Sequence, residues 1–264
     1  MLTVGLGINI GSGITLSTGT LGGSIQFAQT GGTNQYVKTA SGSSADALSL
    51  GTGNFTVECW LYFSTTIALN ENKAVLFKRA GGQYEYGLSL GYNTNITPNQ
   101  YITWYQASTS STVQITAAQP NLNQWHHIAI VRNSSTITMY IDGTSVGTFN
   151  NPSDLVNNTG APLNLAYNGY DPVPLYFNGS LNNIRIVPGV AVYTSDFTPA
   201  TDNLTAIQNA NVNGSPSAAI SSGQTKLLLN TPRGANFLQD TSGSNFTFTQ
   251  GGTSNATSST NAPF

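Results

Sequence analysis

Charge is scarce in this chain. Only 7 % of the 264 residues are Asp, Glu, Lys or Arg, against roughly 25 % in an average soluble protein. The eight basic and ten acidic residues are scattered singly, so no stripe can neutralise a row of phosphates or dock on an anionic bilayer. Nucleic acid and membrane surfaces are thereby excluded as partners. Cysteine is nearly absent too: Cys59 stands alone, which excludes an internal disulfide and a thiolate metal cluster. Its setting in the apolar run "TVECWLY" predicts an inert buried thiol. No stretch approaches the ~20 apolar residues of a membrane span. The first residues, "MLTVGLGINIGSGITLSTG", carry no basic residue before Lys38 and no long apolar core, so no secretory signal is expected. Helical periodicity is also missing.

What fills the chain is Gly, Ser, Thr and Asn around short alternating runs bounded by Gly, Asn, Asp and Pro, the pattern of a sandwich or jelly roll. The fold class expected is all-β, a two-sheet antiparallel sandwich. Residues 1–24, Gly/Ser/Thr-rich with isolated aliphatics, read as an extended N-terminal arm. The sandwich is expected over 25–249, with a long loop at 205–224, and 250–264 as a C-terminal tail. "NFTVECWLYF" sets Phe55, Val57, Cys59 and Leu61 against Thr56, Glu58, Trp60 and Tyr62, as a central strand would. "WHHIAIVR", "TITMYI" and "TSVGTF" form a meander, its second turn at Asp142-Gly143, where both positions favour positive φ. "PGVAVYTSDFTP" reads as a wrapping loop pinned by a Tyr and a Phe.

Several motifs carry chemistry on paper. Glycosidases of such sandwiches hold two carboxylates that flank the scissile bond. Here the nearest acidic pair in sequence is Asp196 and Asp202, and Glu58, Glu71 and Glu85 are each isolated, so no catalytic residue is assigned. "GLSLG" (87–91) matches a serine-hydrolase elbow only in letters, since Ser89 lies in an alternating run with no helix after it. "GLGINIGSG" lacks the spacing and the following helix of a phosphate cradle. His126 and His127 are consecutive, and consecutive strand residues point to opposite faces, so they do not share a metal ion. They read as hydrogen-bonded imidazoles of a central strand.

Four segments, "GTGNFTVECWLYF", "NQWHHIAIVRNSSTITMYIDGTSVG", "YFNGSLNNIRIVPGVAVYTSDFTP" and "TKLLLN…FLQDTSG", resemble in order the laminin G-like, concanavalin A-like jelly rolls of tailed-phage virion proteins. The resemblance spans roughly residues 20–250. It implies a lectin-like sandwich in a non-enzymatic virion structural protein, either a capsid decoration or a tail or fibre component. That setting also reconciles an extracellular texture with assembly in the host cytoplasm. It further implies contacts with other virion proteins through the arm and the tail, a homo-oligomer, and recognition of host surface glycan. A stand-alone carbohydrate-binding module and a polysaccharide hydrolase remain alternatives.

Sugar sites combine aromatic platforms with a few amide or carboxylate hydrogen bonds. The candidates near strand ends and loops are Trp104, Tyr105, Tyr167, Asn168, Tyr170 and Asp171, with "AYNGYDP" the favoured loop. No cofactor is required. Relatives of this fold bind calcium at the sandwich rim, and Asp142, Asp154 and Asp171 are the weak candidates here. They are dispersed where a hard cation favours clustered carboxylates, and Asp142 is also explained by its turn.

Overall fold

A computed structural model describes residues 23–29, 34–80, 82–108, 112–150, 155–170, 174–230 and 236–264. The strands among them are β1 (Ser24–Phe27), β2 (Gln35–Thr39), β3 (Phe55–Tyr62), β4 (Glu71–Ala80), β5 (Gln83–Tyr92), β6 (Gln100–Ala107), β7 (Thr112–Ala118), β8 (Trp125–Asn133), β9 (Thr136–Ile141), β10 (Thr144–Asn150), β11 (Leu163–Leu165), β12 (Gly179–Pro188), β13 (Leu227–Leu229), β14 (Phe248–Gly252) and β15 (Thr257–Ser259). They pair antiparallel in two sheets. One has the order β10-β9-β8-β3-β12-β1-β15, with β13 alongside β12, and the other β14-β2-β11-β4-β5-β6-β7. The all-β sandwich expected from the alternating runs is the observed architecture.

Alternation decides which side chains enter the core. In β3, Phe55, Val57, Cys59 and Leu61 point inward and are buried to within 2 %. They meet Leu76, Leu88, Leu90, Ile102 and Trp104 of the facing sheet in one continuous cluster. The central place of β3 follows from its pairing with β8 on one side and β12 on the other.

The Asp142-Gly143 turn has φ of 50° and 80°, the primed-turn geometry that this dipeptide favours. It carries a second burden that the sequence did not show. Phe197 donates its backbone N–H to the Gly143 carbonyl at 2.9 Å, and a Cβ at Gly143 would run into the Phe197 backbone. The tip of the meander is thus clamped under the segment that follows β12. That segment, expected as a wrapping loop, does wrap: Tyr193 and Phe197 stack with ring centroids 3.6 Å apart. With Val190, Val192 and Ile220 they form a second apolar cluster on Ala129, Val131 and Tyr140, outside the first sheet.

Two expectations about the periphery need correction. Residues 250–264 were expected as a tail, yet β14 joins β2 in one sheet and β15 joins β1 in the other. The Ser/Thr/Gly composition concealed strands because edge strands bury little apolar surface and show no strong alternation. The near absence of helix overlooked one short piece, a 3-10 helix at Ser43–Leu48 that buries Ala45 and Leu48. Of the expected arm, residues 1–22 lie outside the described residues. The 205–224 stretch is loop apart from a 3-10 turn at Val212–Gly214 and a bridge between Gln208 and Ile220.

Candidate functional site

The second sheet turns a row of aromatic rings outward. Leu76, Leu88, Ile102 and Trp104 belong to the core, so their strand neighbours Phe77, Gly87, Tyr101 and Tyr105 face away from it. On that face Phe77 lies 6.4 Å from Tyr105, and Tyr105 lies 6.4 Å from Tyr84, centroid to centroid. The Phe77 ring covers Gly87 and the Tyr101 ring covers Gly91, where any side chain would collide with them. The rings therefore lie low over the backbone instead of standing away from it.

At one end of the row Arg79 of β4 joins the rings. Its guanidinium carbon sits 4.5 Å from the Tyr170 ring centroid and 5.9 Å from that of Tyr84, within cation–π range. Tyr84, Tyr105, Tyr170 and Arg79 are all half-buried, so each presents part of itself to solvent. Burial raises the Tyr105 phenol above its ordinary value. Beyond Tyr105, the hydroxyls of Thr103 and Thr116 face each other at 3.1 Å. A second set of rings adjoins: Tyr36 lies 4.6 Å from Tyr167, which stacks on Tyr176 at 5.3 Å.

The candidates named from sequence divide on this frame. Tyr105 and Tyr170 are brought to the same face, joined through Arg79 and Tyr84. Tyr167 is 5 % exposed and serves as the middle of a ring stack. Asn168, 2 % exposed, is an organiser of its loop: its Oδ1 accepts the backbone N–H groups of Leu175 at 3.1 Å and Tyr170 at 3.4 Å. Gly169, at φ 71°, then fits its backbone against Asn164 and Arg79, and this close approach delivers Tyr170 onto the guanidinium. Trp104 has to be corrected. It is 0 % exposed, on the core side of β6, stacked on Tyr86 at 5.4 Å, so it has no surface to offer a sugar. "YITWYQ" contains two adjacent aromatics, and parity sends one to each face. Asp171 lies outside the described residues.

Arg79, Tyr84 and Phe77 went unnamed at the sequence level. The signal was the alternation of "AVLFKR" and "YEYGLSLGY", which fixes a shared face only once the strands are known to be neighbours.

The first sheet carries a different constellation on its outer side. Glu58, read as isolated in sequence, receives Arg185 Nε at 2.7 Å, His127 Nε2 at 3.0 Å and the Tyr193 hydroxyl at 3.0 Å. Burial alone would raise the Glu58 carboxyl, but the Arg185 guanidinium and His127 overcome it and hold it at about 2. Arg185 also donates from Nη1 to the Thr205 carbonyl and to Gln208 Oε1, tying the 205–208 loop to β12. The carboxylate is fully enclosed beneath the layer of Tyr193 and Phe197, so the group holds the structure together and has no access to substrate.

The two histidines separate as strand parity requires. His127 enters this network, whereas His126 bonds Asp142 Oδ2 at 2.6 Å through Nδ1 and the Asn121 carbonyl at 3.1 Å through Nε2. Asp142 Oδ1 accepts the His127 backbone N–H at 2.8 Å. Both oxygens of Asp142 are thus used within the protein, and the residue fits a turn anchor better than a calcium ligand. Asp154 and Asp171 lie outside the described residues, among which no group of three or more His, Cys, Asp or Glu side chains converges. Glu85 is likewise enclosed, 2.9 Å from Lys78 Nζ. Ser89 is a buried residue within β5.

A family model for the concanavalin A-like lectin/glucanases superfamily matches residues 30–191. The chain belongs to that superfamily. The matched range runs from before β2 through β12 and takes in the aromatic face and, of the Glu58 network, Glu58, His127 and Arg185. Solved structures of this general shape are similar at low identity. A heptameric SAP-like pentraxin of Limulus polyphemus is 12 % identical, with TM-score 0.44, over 63 % of this chain and 76 % of that one. A putative carbohydrate-binding protein of Bacteroides ovatus is 13 % identical, with TM-score 0.48, over 76 % of this chain and 58 % of that one. The enzymatically active domain of tailspike protein 2 of bacteriophage CBA120 is 12 % identical, with TM-score 0.39, over 57 % of this chain. This chain spans only 23 % of that tailspike chain. No curated protein matches in sequence. Among the described residues no helix is long and apolar enough to cross a membrane.

Proposed function

We propose that this member of the superfamily is a non-enzymatic carbohydrate-binding sandwich whose ligand lies across Tyr84, Tyr105 and Tyr170 beside Arg79. The observation that carries this reading is the gathering of two half-buried tyrosine rings, Tyr84 and Tyr170, over the Arg79 guanidinium, with the half-buried Tyr105 ring beside Tyr84. Rings set low over a sheet supply flat apolar platforms for the C–H faces of a sugar, and the phenols and guanidinium supply directional donors. The enclosed states of Glu58 and Glu85 support a binding role over hydrolysis, which requires two accessible carboxylates about the scissile bond.

Glycan-array profiling followed by titration of the best ligand tests it. Tyr105→Ala and Tyr170→Ala are each expected to weaken binding on the order of tenfold, about 1.4 kcal/mol, with the melting temperature little changed. An array without binding, or unchanged affinity in both variants, removes the assignment. Release of reducing ends from a polysaccharide would replace it with the hydrolase reading.

The setting we infer is the particle of a tailed phage, as capsid decoration or as part of a tail or fibre. It is supported by the resemblance of the four quoted segments and by a surface kept polar with amides and hydroxyls at 7 % charged residues. Mass spectrometry of gradient-purified particles is expected to find the chain in stoichiometric copies. Its recovery only as free protein would favour a stand-alone carbohydrate-binding module.

A further inference from the structure

The ring of Tyr84 faces against the alternation of its own strand. In β5, Tyr86, Leu88 and Leu90 enter the core, whereas Gly87 and Gly91 lie under the outward rings of Phe77 and Tyr101. Carried two residues back from Tyr86, that alternation puts Tyr84 in the core as well. Tyr84 stands on the outer face, 6.4 Å from the Tyr105 ring and 5.9 Å from the Arg79 guanidinium carbon. The register gives the reason. Lys78 opposes Tyr86 and the next residue, Arg79, opposes Tyr84, so Glu85 is one residue too many for β4. Such a β-bulge re-aims the side chains beyond it.

The extra residue is anchored in the interior. Glu85 and Lys78 are both 0 % exposed. Glu85 Oε2 accepts Lys78 Nζ at 2.9 Å, the Ser49 hydroxyl at 3.0 Å and the Asn158 backbone N–H at 3.2 Å, and Oε1 accepts the Leu50 N–H at 3.0 Å. Lys78 Nζ donates again to the Asn158 carbonyl at 3.1 Å. The same hairpin has a competing arrangement. Ala80 and Gln83 pair near its turn, so a slip by one step involves only residues 83–85. Glu85 would then oppose Arg79 on the outer face and Tyr84 would turn inward, because a one-residue slip exchanges the two faces. An ion pair in water is worth little, whereas withdrawing Glu85 strands Lys78 in the core without its counter-charge. The buried pair therefore selects the bulged register.

We propose that Glu85 is the positioning residue of the aromatic face: its burial against Lys78 pins the bulge that presents Tyr84 to the ligand. Only the ligand in this statement rests on the glycan reading. The facing of Tyr84 is a property of the strand and is measured apart from it.

Two variants of the full chain test it through ring-proton NOEs, in deuterated protein with protonated Tyr and Trp. The parent is expected to show a Tyr84–Tyr105 contact and a Tyr86–Trp104 contact, the latter pair stacked at 5.4 Å. In Lys78→Met the Glu85 carboxylate loses its buried partner, and the Tyr84–Tyr105 contact is expected to vanish while Tyr86–Trp104 persists. Deleting Glu85 in the Lys78→Met background removes the extra residue. Regular pairing then sends Tyr84 outward, and its contact with Tyr105 is expected to return. A group that merely stabilised the hairpin would not be rescued by its own deletion. Affinity for the strongest array glycan is expected to follow the NOE, weakening on the order of tenfold in Lys78→Met and recovering in the double variant. A folded Lys78→Met protein that keeps the Tyr84–Tyr105 contact overturns the proposal. A double variant that lacks the contact, folded or not, also overturns it, and decides the matter should Lys78→Met fail to fold. An array without binding removes the glycan reading, while the NOEs still decide what sets the facing of Tyr84.

Discussion

Arg185→Met is expected to cost about 3–5 kcal/mol of folding free energy at neutral pH, because it leaves Glu58 buried without its principal counter-charge. Arg185 and Glu58 are each 0 % exposed at the side chain, so water cannot compensate the loss. The variant also frees the 205–208 loop from β12, since both Arg185 Nη1 bonds disappear. Urea unfolding monitored by circular dichroism measures the effect, and its pH dependence identifies the cause. In the parent protein the Glu58 carboxyl is held at about 2, below the ordinary glutamate value of about 4.5. Its contribution is therefore fully present above pH ~4.5 and fades as the pH falls through ~2, for a total of about 3 kcal/mol. Without Arg185, burial dominates and the carboxyl prefers its neutral form. The variant's deficit is then expected to shrink between pH 7 and pH 4. A deficit below 1 kcal/mol, or one that stays constant with pH, would show that the pair contributes little.

Trp104→Ala is expected to be comparably severe, about 3–5 kcal/mol, for a different reason. The indole fills the centre of the sandwich between Tyr86 and Phe55, at 5.4 and 6.5 Å, and its Nε1 donates to Gln106 Oε1 at 3.4 Å. Removing it opens a cavity and leaves that amide oxygen without its donor. Well below the variant's melting temperature, glycan affinity is expected to equal the parent's, as the ring is on the face opposite the tyrosine row. A loss of affinity in a demonstrably folded Trp104→Ala protein would contradict the placement of the ligand.

Those two residues show what the sequence could and could not convey. Strand parity is a local property, so the opposite facings of His126 and His127, the inward set of β3 and the Asp142-Gly143 turn were all legible. The partnership of Glu58 with Arg185 was not, because 127 positions separate them and only the β3–β12 pairing brings them together. The glycan face was half legible. Tyr105 and Tyr170 were named for their surroundings in sequence, but the groups that link them, Arg79 of β4 and Tyr84 of β5, were not. Trp104 was named, like Tyr105, for its place near a strand end, whereas neighbours in a strand lie back to back and only one of the two can face outward. The C-terminal strands were missed because Thr, Ser and Gly at an edge carry no hydrophobic pattern.

The pairing of β14 and β15 with β2 and β1 also bears on the order in which the protein is made. Asn34 and Thr253, which bond at the turn between those strands, are 219 positions apart. A ribosome adding about 5–20 residues per second needs on the order of ten seconds or more to bridge that interval. Throughout it, the early strands β1 and β2 have emerged while β15 and β14 do not yet exist. The nascent sandwich waits with one flank of each sheet unprotected, and late synthesis, more than any single contact, sets when it becomes a finished particle.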